Sequence, residues 1–486
     1  MSIPAQQAEV AALLGRLTGA RPIETHISAV FVGPDEVLKL KKAVALEFLD
    51  FSTLAARERF IRRELELNQG FAPGIYRGVA PVVRAADGAL ALGGPGQVVD
   101  WVLRMAPVPA GDFLDEMAAR GALTPALLDQ LGDKVAEMHA ALPPLAGVDA
   151  PAAMRRVLEG NLLAAEHAGV VGTAAWATRA LEWLARLAPV LAARAAAGQV
   201  RRCHGDLHLG NLCLWQGGAT PFDALEFNED LAIIDTGYDL AFLLLDLWVT
   251  QGRAAANRVL NRYVARTGDV GLVAALPLWL SARALIRAHV VAVPGRDPGR
   301  YMRHAMEALA PPPPRLVAVG GLQGTGKSTL ARALAPLLGA APGALVLRSD
   351  ELRKRLAGVA PEQRLPAESY TPAASAAVFA ALGAQARVAL AAGHSVVADA
   401  AFLRAEERDA VAALAPGFTG LWLTAPVAVL RARVAARQGD ASDATVPVLE
   451  AAAGRDPGPL DWTVLDATGD ALPAALGVLG LAAPEA

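Results

Sequence analysis

Residues 316–329 read LVAVGGLQGTGKST. No other segment of the chain restricts the fold as tightly. An apolar run of strand character leads into a loop that fits GxxxxGK[ST], and STLARALAPLL then opens a helix. That strand–loop–helix order is the context in which such a loop holds phosphate: its glycines let backbone N–H groups wrap the oxygens at a helix N-terminus. Gly321, Gly324, Thr325, Gly326, Lys327, Ser328 and Thr329 are the candidate phosphate ligands. Lys327 is expected on the β- and γ-phosphates of ATP, and Ser328 on Mg²⁺.

Strand-like runs recur behind this loop, as ALVLRSD, HSVVADA, GLWLTAP and WTVLDAT, with helical stretches between them. A βαβα order predicts an α/β domain with a doubly wound parallel sheet. Asp350, at the end of the second run, is expected near a phosphate acceptor. Asp399, at the end of the third, is expected to orient Mg²⁺ or its water. RARVAARQGDASDA supplies Arg431, Arg433 and Arg437, and a spacing of four places Arg433 and Arg437 on one helix face. They are candidates to clamp a transferring phosphate; the plainer reading is a solvated basic helix end. Four prolines at 311–314 stop any helix, so residues 310–314 read as a linker between domains at 1–309 and 315–486.

The chain has 486 residues, too many for one ordinary domain. Its 54% hydrophobic content owes much to alanine, and the most membrane-like run, LAIIDTGYDLAFLLLDLWV, is broken by Asp235, Asp239 and Asp246. The N-terminus lacks the basic region of a signal peptide. No membrane partner and a cytoplasmic location are expected. A formal net charge of −3 gives no electrostatic case for nucleic acid. Cys203 and Cys213 form no CxxC pair, which points to a reducing compartment. Oligomeric state is not set by any of these features.

Before the linker the pattern changes. AVFVGPDEVLKLKK reads as two strands around a turn, TLAARERFIRRELELNQG as a charged helix and GQVVDWVLRMAPV as another strand. From about residue 111 the chain turns mostly helical. This predicts an α+β domain with a small sheet-bearing lobe and a larger helical one. Within the helical part lies CHGDLHLGNLCLW, residues 203–215. A loop with Asp206 and Asn211, then a hairpin (LCLW, a QGGAT turn and a second strand ending in Asp223), has the spatial logic of a phosphoryl-transfer site. Asp206 would act on the acceptor hydroxyl, and Asn211 and Asp223 would supply oxygen ligands for Mg²⁺ from two chain segments. His204 and His208 are four apart, but Gly205 and the absence of a Glu after His204 argue against zinc. Glu226 and Asp235 read equally as metal-supporting groups or polar caps.

On these motifs residues 20–310 resemble the aminoglycoside phosphotransferase-like kinases, which have a two-lobed, protein-kinase-like fold. The resemblance implies that Lys39 in VLKL faces the nucleotide phosphates. It implies Glu64 as the helical partner, with Glu58 and Glu66 as alternatives, and Asp239 as a support for the catalytic loop. Strand alternation alone does not choose between Lys39 and Lys41. There is no GxGxxG loop, and the THISAVF turn would replace it. Residues 315–470 resemble gluconate-kinase and zeta-toxin-like P-loop kinases, except that Ala401 stands where such chains more often carry Thr.

Together these readings describe a tandem ATP- and Mg²⁺-dependent phosphotransferase acting on hydroxyls of small molecules. The alternatives are one catalytic module beside a regulatory nucleotide sensor, a P-loop module acting on a nucleotide sugar or a nucleic-acid end, and a non-enzymatic scaffold.

Overall fold

The computed structural model of the protein describes residues 2–46, 49–292, 297–437 and 440–482. Two compact units emerge. The first comprises Met1–Leu123, Ala141–Val148 and Arg194–Leu243; the second comprises Thr124–Ala140, Asp149–Ala193 and Leu244–Ala486.

The first unit is built on a six-stranded antiparallel sheet. Its order is Ile23–Glu24, Ser28–Val32, Val37–Lys41, Gln97–Met105, Tyr76–Arg84 and Leu90–Leu92. Strand alternation sorts its side chains onto two faces. On one face Phe31, Leu38 and Leu40 join Val10, Leu13 and Leu14 of the helix Ala8–Thr18 in a buried cluster. Each such side chain contributes about 1.5–3 kcal/mol by leaving water. On the other face Tyr76 and Leu103 meet Ile61 of the helix Leu54–Gln69. That helix is capped by Thr53, whose side chain accepts the Ala56 N–H at 3.1 Å.

The hairpin expected after the Asp206 loop is present, with a tighter turn than QGGAT. Leu212–Trp215 pairs with Gly218–Pro221, leaving only Gln216 and Gly217 between them. Both have positive φ, 52° and 81°, as a type I′ hairpin turn requires. The second strand therefore ends at Pro221, and Asp223 lies just beyond it.

The second unit contains a five-stranded, wholly parallel sheet. Its order is Leu345–Arg348, Val396–Asp399, Leu316–Gly321, Thr419–Thr424 and Thr463–Asp466. Val317, Val319, Val397, Leu421 and Leu423 are buried on one face with Leu330 and Leu334 of the helix Lys327–Leu334. Residues 310–314 fall inside this unit, and the helix Arg253–Thr267 lies along the edge strand Leu345–Arg348: Asn257 Nδ2 donates to the Ala344 carbonyl at 3.0 Å. The helix Pro372–Ala391 is long and apolar enough to cross a bilayer. Gln385 and Arg387 interrupt it, and Val378, Leu382, Ala386 and Ala389 are buried against the protein.

Candidate active sites

The first site begins on the strand Val37–Lys41. With Leu38 and Leu40 committed to the core, Lys39 and Lys41 both point toward the helix Leu54–Gln69. Lys39 Nζ lies 2.7 Å from Glu64 Oε1 and 2.6 Å from Asp223 Oδ1. Glu58 pairs instead with Arg62, and Glu66 with Arg63, at the surface. Glu64 is completely buried, because its helix position faces the sheet. Burial works against its charge, but Lys39 and Lys41 outweigh that and hold its carboxyl at about 2. Burial likewise opposes the Lys39 ammonium, and Asp223 and Glu64 hold its pKa well above the ordinary value.

The loop 203–211 is braced from behind. Asp239 accepts the N–H groups of His204 and Gly205 at 3.2 and 2.8 Å. His204 Nε2 donates to the Phe222 carbonyl, and Leu225 N–H returns to the His204 carbonyl, both at 2.9 Å. His208 Nδ1 accepts the Gly210 N–H at 3.1 Å. The two histidines therefore brace different bonds of the loop. Asn211 Nδ2 donates to Asp206 Oδ2 at 2.9 Å, and its carbonyl accepts the Phe222 N–H at 3.0 Å. These bonds draw Asp206, Asn211 and Asp223 into one region.

Two residues without a motif shape this site. Tyr76 Oη accepts the Asp223 N–H at 2.8 Å, and Asn68 Oδ1 accepts the Ala224 N–H at 2.9 Å. They fix the backbone where Asp223 adopts φ 60°, a left-handed conformation costly for a residue with a side chain. Only the tertiary fold brings them there. Asp223 and Asn211 offer the hard oxygen donors that Mg²⁺ takes.

The second site surrounds the P-loop, in a cavity of about 1190 Å³ whose lining includes all seven phosphate-loop candidates except Gly321. Gly321 lies just behind it at the strand end, with φ 131°, where a Cβ would stand 2.4 Å from the Leu423 carbonyl oxygen. Gly324 has φ 85°, and a Cβ there would lie 2.9 Å from the Leu430 carbonyl oxygen. Lys327 Nζ donates to the Leu322 carbonyl at 2.9 Å, and Thr325 Oγ1 to the same carbonyl at 2.8 Å. Burial lowers the Lys327 pKa, with Asp399 and Asp350 opposing.

Register sets Asp399 beside Val319 on one side and Arg348 on the other. Its Oδ2 is buried without a hydrogen-bond partner among the described residues. A carboxylate oxygen without a hydrogen bond, 3.6 Å from the Arg348 Nε, in a cavity lined by the phosphate loop suits a divalent cation, with Ser328 as the second donor. Asp350 sits in the first turn of the helix Ser349–Leu356, since the strand already ends at Arg348; burial raises its carboxyl pKa.

The arginines differ from expectation. The helix Val427–Ala435 ends before Arg437, so Arg433 and Arg437 do not share a helix face. Arg433 donates to the carbonyls of Ala467 and Thr468 at 2.8 Å, which ties it to the chain following the last strand. Arg437 lines the cavity with its Nη1 buried and lacking a hydrogen-bond partner among the described residues. Arg348 is the central cation that the motifs did not single out. It is buried, hydrogen-bonded to Asp440 and 3.6 Å from Asp399. An arginine closing the otherwise apolar run ALVLR was its one visible signal.

A buried lysine–glutamate pair beside a loop carrying Asp206 and Asn211, and a phosphate loop on a parallel sheet, are the working parts of kinases, enzymes of phosphoryl transfer. Residues 52–276 match the Phosphotransferase enzyme family, and residues 316–455 match the AAA domain family. The chain carries a domain of each and is a phosphotransferase. An uncharacterized protein of Mycobacterium tuberculosis (strain H37Rv) is 29% identical over 463 residues, 90% of each chain. One of Mycobacterium bovis shows the same identity and coverage. Among solved structures, a gluconokinase from Sinorhizobium meliloti covers 34% of this chain and 92% of its own, at 25% identity and a TM-score of 0.25. A choline/ethanolamine kinase family protein from Mesorhizobium loti covers 63% and 94%, at 15% identity and a TM-score of 0.36.

Proposed function

We propose that the protein is a tandem ATP-dependent phosphotransferase of the cytoplasm. Its modules are residues 1–309 and 315–486, with 310–314 as the linker, and each phosphorylates a hydroxyl of a small molecule. The observation that carries the reading is Lys39, held between Glu64 and Asp223 in one module while an intact phosphate loop with Asp399 equips the other.

In the first module Asp206 takes the proton of the acceptor hydroxyl as its oxygen bonds to the γ-phosphorus. The bond from that phosphorus to the β,γ-bridging oxygen breaks, and ADP leaves. Lys39 orients the nucleotide phosphates, and Asp239 keeps the Asp206 loop in place. In the second module the loop N–H groups and Lys327 hold the phosphates, Asp350 faces the acceptor, and Arg437, which lines the same cavity, offers its Nη1 to the transferring group. When bound, Mg²⁺ supplies neutralising charge, held by Asn211 and Asp223 in one module and by Ser328 and Asp399 in the other.

A metabolite library with ATP, assayed by mass spectrometry, tests the reading. Two phosphorylated products are expected, one lost in Asp206→Asn and the other in Lys327→Ala. Two equivalents of bound nucleotide with no product from any hydroxyl compound would favour nucleotide sensing instead.

A further inference from the structure

We propose that Lys41 and Glu226 are a positioning pair for the first site, a second buried ion pair that holds Glu64 and the Asp223 segment in place. The inference rests on the reading that this site binds ATP through Lys39.

Lys39 and Lys41 are two residues apart on one face of a strand, so their ammonium groups are close neighbours. Lys41 is almost completely buried, with its side chain 1% exposed. Two buried cations side by side repel, and each loses hydration. The structure answers with carboxylates between and beyond them. Glu64 divides its two oxygens, Oε1 to Lys39 and Oε2 to Lys41, each at 2.7 Å. Lys41 also hydrogen-bonds Glu226, whose side chain is 5% exposed.

Glu226 lies three residues after Asp223, which itself pairs with Lys39. The contacts therefore close a ring. It runs from Lys39 to Glu64, on to Lys41 and Glu226, back along the chain to Asp223, and so to Lys39. A single Lys–Glu pair would orient one oxygen of Glu64 and leave the other free to turn. In this ring both oxygens are fixed, and the Asp223–Glu226 segment is pinned at each end to the same strand. Tyr76 and Asn68 hold its beginning; near its end Leu225 is bonded through its backbone to His204 and Arg202, and Lys41 holds the Glu226 side chain.

The charge count supports a positioning role. Two lysines face three carboxyl groups, Glu64, Asp223 and Glu226, so the carboxyl groups outnumber the cations they engage. Lys41 takes up charge from Glu64 and Glu226. Lys39 can then turn toward nucleotide phosphates without leaving Glu64 as an unpaired buried carboxylate.

An acyl-phosphate derivative of ATP reads the position of Lys39 directly. Lys39 Nζ takes the acyl group, ATP leaves, and the labelled peptide is counted by mass spectrometry. Wild type is expected to label at Lys39, with protection by excess ATP. In Glu226→Gln and Lys41→Met the labelling rate should fall roughly tenfold or more, as misplacement of a reacting group does. The double variant Lys41→Met/Glu226→Leu removes both charges together, so it should recover thermal stability lost by Lys41→Met while labelling stays slow. Labelling at the wild-type rate in Glu226→Gln, or in the double variant, would overturn the proposal. Absence of ATP-protected labelling in wild type would instead overturn the reading on which it rests.

Discussion

Val346 donates its backbone N–H to Asn261 Oδ1 at 2.7 Å. Val346 belongs to the edge strand Leu345–Arg348, and Asn261 to the helix Arg253–Thr267. Asn261 Nδ2 and Asn257 Nδ2 also reach the Ala344 carbonyl, at 3.2 and 3.0 Å. Two asparagines thus satisfy one outward N–H of a strand that has a neighbour on one side only, and the carbonyl just before it, which blunts the edge against pairing with another chain.

Replacing Asn261 by Ala should therefore cost about 1–3 kcal/mol, the penalty of a backbone donor left without its partner. Urea denaturation followed by tryptophan fluorescence measures it, and an unchanged midpoint would show that the edge needs no cap. A fragment starting at Arg315 lacks the helix and should self-associate in size-exclusion chromatography more than one starting at Leu244.

Gly324→Ala should abolish nucleotide binding at the P-loop. Alanine is strained at φ 85°, and its Cβ would press on the Leu430 carbonyl oxygen at 2.9 Å, so the loop must shift. Calorimetric titration with a non-hydrolysable ATP analogue should lose one of two equivalents. Retention of both would mean that the loop adapts.

Asp206→Asn should slow transfer by the first module ~10²–10⁴-fold while leaving nucleotide affinity within about twofold. The Asn side chain can still accept the Asn211 Nδ2 bond that Asp206 accepts at 2.9 Å. Equal transfer rates would remove Asp206 from the chemistry.

His394 should make the second unit acid-sensitive. Its Nε2–H donates to the Gly343 carbonyl at 3.0 Å, and its Nδ1 is buried without a hydrogen-bond partner among the described residues. Burial lowers its pKa to about 4 from 6.5. Below pH 6.5 the unfolded chain takes up a proton that the native imidazole refuses. Stability therefore falls as pH drops from about 6.5 to about 4, by about 3 kcal/mol in all. His394→Gln should lose most of that slope in denaturation curves compared at pH 7 and 4.5; an identical slope would place the acid sensitivity elsewhere.

The linear sequence determined what short-range physics controls. Alternation and apolar runs fixed the five parallel strands and the antiparallel lysine strand, and glycine spacing fixed the phosphate loop. The Asp206–Asn211 loop was legible for the same reason, because its groups are neighbours in the chain. Tertiary structure decided what depends on partners distant in sequence. It chose Glu64 over Glu58 and Glu66 because that position of the helix faces the sheet, while the others meet arginines at the surface. It gave Lys41 to Glu64 and Glu226, 23 and 185 residues away. It turned Arg433 toward backbone carbonyls, where an i, i+4 spacing had suggested a helix face shared with Arg437. It set Asn261 against a strand edge 85 residues later. Residue spacing carries the direction of a side chain relative to its own element, and the packing of elements alone supplies the charge or donor that it meets.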